Sequence, residues 1–550
     1  MTITVKKKAE FQVNTGGITD NQRYSDVATL KNGNVIAVWT TQNTGNSATG
    51  GDGSGYSVKA KILNSSGNQV KSEFLVNTNT AGNQQIAKVV ALSDGGFMVA
   101  WEDEGGQVGD TSGSSVRAQR YDSAGSKVGG EILVNHSIVN GDQDYVDVFE
   151  VGAGLVGFSW VSDSAADGKE VQLNIYSTSL NLFASERTVN FVGGGAGNQT
   201  GANSAVSTNG NVLVVWTTSA NDDGSGGAIK YRLYDSSYNT LVGEALVNVN
   251  KKTGSQVNPQ VEALADGRFV VAWTTQDATE DGDSTALLFR IYSKAGVPLT
   301  NEIRVNNKGT GGQDDVSIAA LDDGRFLVVW ESTDGTDPSL TGIKGRIFNK
   351  DGSAYGKEFL VNQKTSSYQQ DAEVTTLKNG KVMVTWTTGS QADGDGNLES
   401  IKGRVLDVGS VWNGKKKAET IKGNNGRDEI NGKDGADILR GLKGDDVIKG
   451  GKGKDKIYTG KGTDTATGNQ GDDTFFFKKN EGKTTITDFE NGKDKLNLKD
   501  FGYASKAAAL NHFTDAGGAN NDKVRFDHKG TEIIVKGIDL NQLNGADIVI

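Results

Sequence analysis

The residues Phe97-Met98-Val99-Ala100-Trp101 form an unbroken apolar run closed by a tryptophan. Just before it, Ser93-Asp94-Gly95 offers an Asp-Gly pair, which supplies the positive φ of a tight hairpin. A short apolar run between turn signals reads as a strand buried on both faces. Around it the pattern predicts three more strands, over residues 88–92, 115–121 and 131–135, with a turn at Ala124-Gly125 between the last two. A Gly/Asp/Ser-rich loop links the second strand to the third.

This four-strand unit recurs seven times. Trp39, Trp101, Trp160, Trp216, Trp273, Trp330 and Trp386 are separated by 62, 59, 56, 57, 57 and 56 residues. Six residues before each lies a glycine: Gly33, Gly95, Gly154, Gly210, Gly267, Gly324 and Gly380. Eleven residues before each glycine lies a glutamine: Gln22, Gln84, Gln143, Gln199, Gln256, Gln313 and Gln369. A Val-Asn pair also recurs, from Val13-Asn14 to Val361-Asn362. Four antiparallel strands per repeat, seven times over, predict an all-β fold: a seven-bladed β-propeller. The seventh repeat has a third strand at 401–406 but no fourth. The segment Glu10-Phe11-Gln12-Val13-Asn14 has the fourth-strand sequence, so it is expected to complete the last blade and remove the open edges.

Composition narrows the class. Of 550 residues 75 are glycine, 3 are proline and none is cysteine. Collagen, proline-rich disorder and a disulfide scaffold are excluded. No apolar run approaches the roughly 18 residues of a membrane span, and MTITVKKKAEF lacks the apolar core of a cleavable signal peptide. The net charge of −11 argues against a nucleic-acid binder. The three histidines, His136, His512 and His528, are scattered, and with no cysteine a zinc or thiol site is not expected. No His-Glu-x-x-His and no Gly-x-Ser-x-Gly occurs. No residue nominates itself as catalytic, and the chain leans away from being an enzyme.

The repeated residues have structural readings. The tryptophans are expected to wedge between neighbouring blades. The glutamines can pin the incoming loop, since an amide both donates and accepts, or they can line a ligand-binding mouth. Acidic loops follow the tryptophan strands, with Asp52, Asp222-Asp223, Asp281 with Asp283, Asp334 with Asp337, and Asp393 with Asp395. Such residues make turns, and alternating carboxylates also suit calcium.

At Gly423 the period changes to nine: GNNGRDEIN, GKDGADILR, GLKGDDVIK, GGKGKDKIY, TGKGTDTAT and GNQGDDTFF, ending at Phe476. Glycine holds the fourth position (Gly426, Gly435, Gly444, Gly453, Gly462, Gly471) and aspartate the sixth (Asp428, Asp437, Asp446, Asp455, Asp464, Asp473). The eighth position is apolar: Ile430, Leu439, Ile448, Ile457, Ala466 and Phe475. This array resembles the GGxGxDxUx repeat of the RTX calcium-binding proteins, which form a parallel β-roll. The resemblance implies that two repeats make one turn and that Ca²⁺ sits between loops two repeats apart. Asp428 would face Asp446, Asp437 Asp455, Asp446 Asp464, and Asp455 Asp473, with loop carbonyls completing about four sites. Thr459 departs from the first-position glycine. The second position is glycine only at Gly451 and Gly460, and residues 414–476 carry 13 basic against 11 acidic side chains.

The segments Thr485-Ile486-Thr487-Asp488-Phe489 and Gly492-Lys493-Asp494-Lys495-Leu496 resemble those following the array in RTX proteins exported by type I secretion. In that family the uncleaved signal lies at the extreme C-terminus, and Asp547-Ile548-Val549-Ile550 is similar to such ends. The expected organisation is a propeller over 1–408, a linker or partial repeat over 409–422, a calcium-binding roll over 423–476, and a cap with the secretion signal over 477–550. The resemblance implies a secreted protein with two partners, calcium ions and the type I secretion machinery. The leading expectation is a bacterial cell-surface or matrix protein with a structural or adhesive role. Cell-surface polysaccharide, or further copies of itself in a homo-oligomer, are its other candidate partners. The alternatives are a glycan-binding propeller and a secreted hydrolase with its site at the propeller axis, which a cluster of non-repeated carboxylates at the axial mouth would favour.

Overall fold

The computed structural model describes the chain apart from residues 1–4, 15–20, 43–54, 107–108, 153, 166–167, 191–196, 283, 308–310, 338–340, 364, 366, 390–398 and 518–521. It divides into two compact units. One comprises Lys7–Leu377 and Val382–Leu406; the other comprises Met1–Lys6, Lys378–Lys381 and Asp407–Ile550. No helix among the described residues is long and apolar enough to cross a membrane.

The first unit is a seven-bladed β-propeller. Each blade is an antiparallel sheet whose strands follow chain order. Blade 2, for example, runs Gln84–Ala91, Phe97–Asp103, Ser115–Tyr121 and Lys127–Leu133. Blade 7 takes three strands from Gln369–Thr376, Val382–Thr388 and Ser400–Asp407, and Phe11–Gln12 completes it. Phe11 pairs with Gly403 and Gln12 with Lys402. The recurring Val-Asn pair explains why this segment fits. Asn14 Oδ1 accepts the Ile401 backbone N–H at 2.9 Å, while Val13 is fully buried. The same bond ties the fourth strand to the third in the other blades, from Asn77 to Val58, Asn135 to Val116, Asn190 to Val171, Asn248 to Ile229, Asn306 to Leu287 and Asn362 to Ile343. The two chain segments thus close the ring with the chemistry used inside every other blade.

All seven repeated tryptophans are fully buried. Trp101 packs with Leu30, Ile36 and Val38 of the preceding blade, which makes it the inter-blade wedge the pattern predicts. In five blades the indole N–H donates to the glutamine 17 residues earlier, as from Trp39 to Gln22 at 2.8 Å and from Trp273 to Gln256 at 2.9 Å. The glutamine's own Nε2 donates back to the incoming loop, as from Gln256 to the Gly254 carbonyl at 3.0 Å. Both halves of the amide are used, so the constant spacing is the length of one buried hydrogen-bonded bridge.

Each innermost strand shifts register just past its glutamine, as between Arg23 and Asp26 or between Gln370 and Glu373. The residue two after the glutamine has left-handed φ in every blade: Tyr24 54°, Ile86 50°, Tyr145 57°, Gly201 60°, Asn258 53°, Asp315 47° and Asp371 52°. For residues other than glycine this conformation costs about 1–2 kcal/mol each. In three blades the freed N–H finds a partner on the preceding blade, at the residue directly after its tryptophan, whereas in blade 6 Asp315 donates to Asp314 Oδ1 of its own strand. Ile86 donates to Thr40 Oγ1 at 3.0 Å, Tyr145 to Glu102 Oε1 at 2.7 Å, and Asp371 to Glu331 Oε1. The bulges re-aim these side chains into a ring at one end of the propeller axis.

The second unit is built on a stack of short parallel strands. Asp428–Asp434 pairs with Val447–Lys452, and Ile438–Lys443 with the first part of Lys456–Gln470. The register advances by 18 residues, as in Ile430 to Ile448 to Ala466, so two nonapeptides make one turn. Ile430, Leu439, Ile448, Ile457, Ala466 and Phe475 are all fully buried and form the thin core. Ser410–Asn413 and Thr420–Lys422, within 409–422, pair in parallel with Asp428–Asp434 and Ile438–Lys443 and add a further turn. Beyond Phe476, Gly482–Ile486, Lys495–Asn497, Thr531–Lys536 and Ile548–Val549 extend the same two sheets, and the apolar core continues into this cap.

Candidate functional site

The six repeat aspartates stand in two columns with their carboxyl groups turned inward. Each exposes about 1% of its surface or less. Oδ1 of each upper aspartate accepts the backbone N–H of the one a full turn below: Asp446 from Asp428 at 2.9 Å, Asp455 from Asp437 at 2.8 Å, Asp464 from Asp446 at 3.0 Å, and Asp473 from Asp455 at 2.8 Å. Asp494, outside the array, continues one column by accepting from Asp473 at 3.0 Å. The stacking needs bare backbone at position four. A Cβ on Gly444 would lie 2.1 Å from the Gly426 carbonyl oxygen, and one on Gly453 would lie 1.9 Å from that of Gly435. Gly462 and Gly471 repeat this contact on the next turn.

The second carboxylate oxygen carries the chemistry. Oδ2 of Asp437, Asp446, Asp455, Asp464 and Asp473 is buried with no hydrogen-bond partner among the described residues. In Asp437, Asp446, Asp455 and Asp473 it points at the first-position glycine of its own repeat, as Asp446 does at Gly441 and Asp455 at Gly450, while in the repeat of Asp464 that position is Thr459. Burial raises these carboxyls, Asp446 to about 8, Asp464 and Asp473 to about 7 and Asp455 to about 6. Repulsion from the stacked neighbours adds to the shift. The nearby lysines that form ion pairs reach other carboxylates, Lys449 to Glu429 and Lys454 to Asp472. Inward carboxylate oxygens without donors, beside loop carbonyls, fit a hard divalent cation that takes six to eight oxygen ligands.

A second cluster lies at the propeller axis. Carboxylate oxygens of Asp315, Glu331 and Asp371 fall within 4.8 Å of one another. Asp315 and Asp371 occupy the strained bulge of blades 6 and 7, and Glu331 follows Trp330 at the position held by threonine in Thr40, Thr217, Thr274 and Thr387. Burial, reinforced by Asp315, raises Glu331 to about 9, and burial raises Asp371 to about 6. The cluster borders a cavity of about 170 Å³ lined also by Tyr24, Lys88, Asn258 and Glu373. The cue lay in the repeats: only blades 2 and 6 place glutamate directly after the tryptophan, and only blades 6 and 7 place aspartate two after the glutamine. Without the bulge those positions are not adjacent in any simple strand register.

The acidic blade loops have structural partners where they are described. Asp223 Oδ2 accepts from Asn248 and Asp337 Oδ2 from Asn362, both at 2.6 Å, while Asp222 and Asp334 pair with Lys230 and Lys344. Asp52, Asp283, Asp393 and Asp395 lie outside the described residues. His136 sits beside Tyr176, and the rings of His512 and His528 lie tilted to each other at 4.0 Å in the cap.

Residues 414–448 and 440–475 match the RTX calcium-binding nonapeptide repeat family. No curated protein sequence matches the chain. Among solved structures, a Dyadobacter fermentans protein of unknown function is 13% identical over 73% of this chain and 98% of its own, with a TM-score of 0.43. The α-L-arabinofuranosidase of Fusarium graminearum is 12% identical over 58% and 92%, with a TM-score of 0.40. The NanB sialidase of Streptococcus pneumoniae is 11% identical over 73% and 70%, with a TM-score of 0.39.

Proposed function

We propose that this is a secreted, calcium-binding bacterial protein of the cell surface or extracellular matrix, in which Ca²⁺ staples the roll. The observation that carries this reading is the row of five buried, unpartnered Oδ2 atoms in register. Asp428, Asp437, Asp446, Asp455, Asp464 and Asp473 would hold the ions, with the glycine loops around Gly426, Gly435, Gly444, Gly453, Gly462 and Gly471 offering carbonyl oxygens. Bound calcium supplies the positive charge that the columns lack. Extracellular modules of this kind bind at about 10⁻⁴–10⁻³ M, so the roll folds outside the cell and stays open at cytosolic calcium. Each site at tenfold saturation adds about 1.4 kcal/mol, and four add roughly 5–6 kcal/mol, comparable to the stability of a small domain. The propeller, closed and with its own core, folds without metal and is the part displayed, in a structural or adhesive role. Circular dichroism of residues 409–550 in chelator and then in millimolar calcium tests the reading. A fragment already fully folded in chelator overturns it.

A second reading, hydrolysis at the propeller axis, is favoured by the Asp315, Glu331 and Asp371 cluster. A carboxyl held protonated near neutral pH beside ionised ones is the division of labour of acid and carboxylate in glycoside hydrolysis. Release of nitrophenol from a panel of nitrophenyl glycosides, lost in Glu331→Gln, would support it. An inactive wild type across the panel would remove it.

A further inference from the structure

The roll carries basic side chains that calcium binding does not use. Arg440, Lys443, Lys461, Lys478 and Lys479 line one cleft of about 340 Å³, and Glu481 is its one acidic residue. None of the five cations forms an ion pair among the described residues, although the charges of Lys461 and Lys478 act on Glu481. The cleft is built by the turns of the roll. Arg440 is in register with Tyr458, and Tyr458 with Phe476, which forms one wall. Lys443 is in register with Lys461, which forms the other, and Lys478 and Lys479 also line the cleft. Successive rungs of a parallel sheet lie about 4.8 Å apart, so the positive charges recur at close to the length of one sugar unit.

We infer that this cleft binds an anionic oligosaccharide, one whose sugar units carry carboxylate, sulfate or phosphate groups. Its volume lies at the low end of the range for small-molecule sites, about 300–1,000 Å³, which suits one or two sugar rings. Nucleic acid is disfavoured because the cleft's aromatic ring has no free face for a base. Arg440 covers Tyr458 at 4.0 Å and Phe476 stacks on it at 4.3 Å. An anionic membrane is disfavoured because Leu442 is the only aliphatic side chain in the lining, too little apolar surface for the second anchor that stable membrane attachment needs. The inference deepens the surface-protein reading and rests on it, by giving the calcium-folded roll a grip on an acidic polymer.

The test uses the full chain in millimolar calcium, with its calcium-dependent circular dichroism recorded first. A chain that does not respond to calcium counts against the calcium reading, independently of the sugar result. Hexagalacturonate, neutral maltohexaose, a single-stranded hexanucleotide and phosphatidylglycerol vesicles are the probes. The expected result is binding of hexagalacturonate that weakens at least tenfold between 50 and 300 mM NaCl, with no binding of maltohexaose. Lys461→Gln with Lys479→Gln should weaken it at least tenfold, and Lys536→Gln outside the cleft should leave it unchanged. Both lysines of the double variant are exposed, and an unaltered calcium response confirms that it folds. No hexagalacturonate binding, equal affinity in the double variant, or tighter binding of the nucleotide or the vesicles would overturn the inference.

Discussion

Lys88 Nζ donates to Glu373 Oε1 at 2.6 Å, joining inner strands of blades 2 and 7 that are 285 residues apart in the chain. Asp26 of blade 1 and Asp147 of blade 3 also face this ammonium. Their carboxyls are raised by burial, Asp26 to about 6 and Asp147 to about 7. One lysine thus holds together the carboxylates of three blades.

Replacing Lys88 by Met leaves these carboxylates facing one another. Losing one partner of a fully buried pair costs about 3–5 kcal/mol. This pair keeps side-chain exposures of 25% and 21%, so the expected loss in propeller stability is about 2–3 kcal/mol. Urea unfolding should show that loss, and Lys88→Met with Glu373→Gln should recover part of it.

Glu331 gives the propeller a pH dependence of definite sign. Its carboxyl is raised from 4.5 to about 9, so the folded state holds a proton that the unfolded state releases. Stability is greatest below about pH 4.5 for this group and falls as pH rises towards 9. The melting temperature of the propeller should drop between pH 5 and pH 9, and Glu331→Gln should flatten that slope.

The stacked columns predict unequal effects of single aspartates on calcium stoichiometry. Asp446 touches both Asp428 and Asp464, whereas Asp428 meets only Asp446 within the array. Isothermal titration should find about two fewer sites in Asp446→Ala and one fewer in Asp428→Ala. Equal losses would mean that the ions do not lie between the turns.

From the second nonapeptide onward position two is left-handed, with φ of 76° at Lys433 and 80° at Leu442. Lys433 is exposed and packs nothing into the core, so Lys433→Gly should stabilise the calcium-loaded roll by about 0.5–1 kcal/mol, the left-handed penalty less glycine's added chain entropy. The reverse change is severe. A Cβ on Gly451 would lie 1.8 Å from the Lys433 carbonyl oxygen, and Gly451→Ala should lower the roll's melting temperature by several degrees.

The bond from Ile401 to Asn14 predicts that the N-terminal segment is part of the propeller. Deleting residues 1–14 exposes the edge of Ser400–Asp407, which then templates pairing with other chains. Light scattering on warming should show aggregation at lower temperature than for the full chain.

Much of this architecture is local and therefore legible in the chain. Strand pairing inside a blade joins consecutive segments, so the fixed spacing of Gln22, Gly33 and Trp39 and its six copies determined the blade, their number and the closing role of residues 10–14. The nonapeptide register likewise determined which aspartates stack, because a parallel turn of 18 residues allows one pairing. The axial cluster was decided only by tertiary structure. Asp315, Glu331 and Asp371 converge because a bulge in each inner strand turns residues towards the axis and because neighbouring blades supply the bonds that hold it there. The basic cleft follows the same logic, since Arg440, Lys461 and Lys479 meet only once three turns are stacked. Repeats encode the contacts each unit makes with its neighbours; what seven blades or three turns surround depends on the side chains that differ between them.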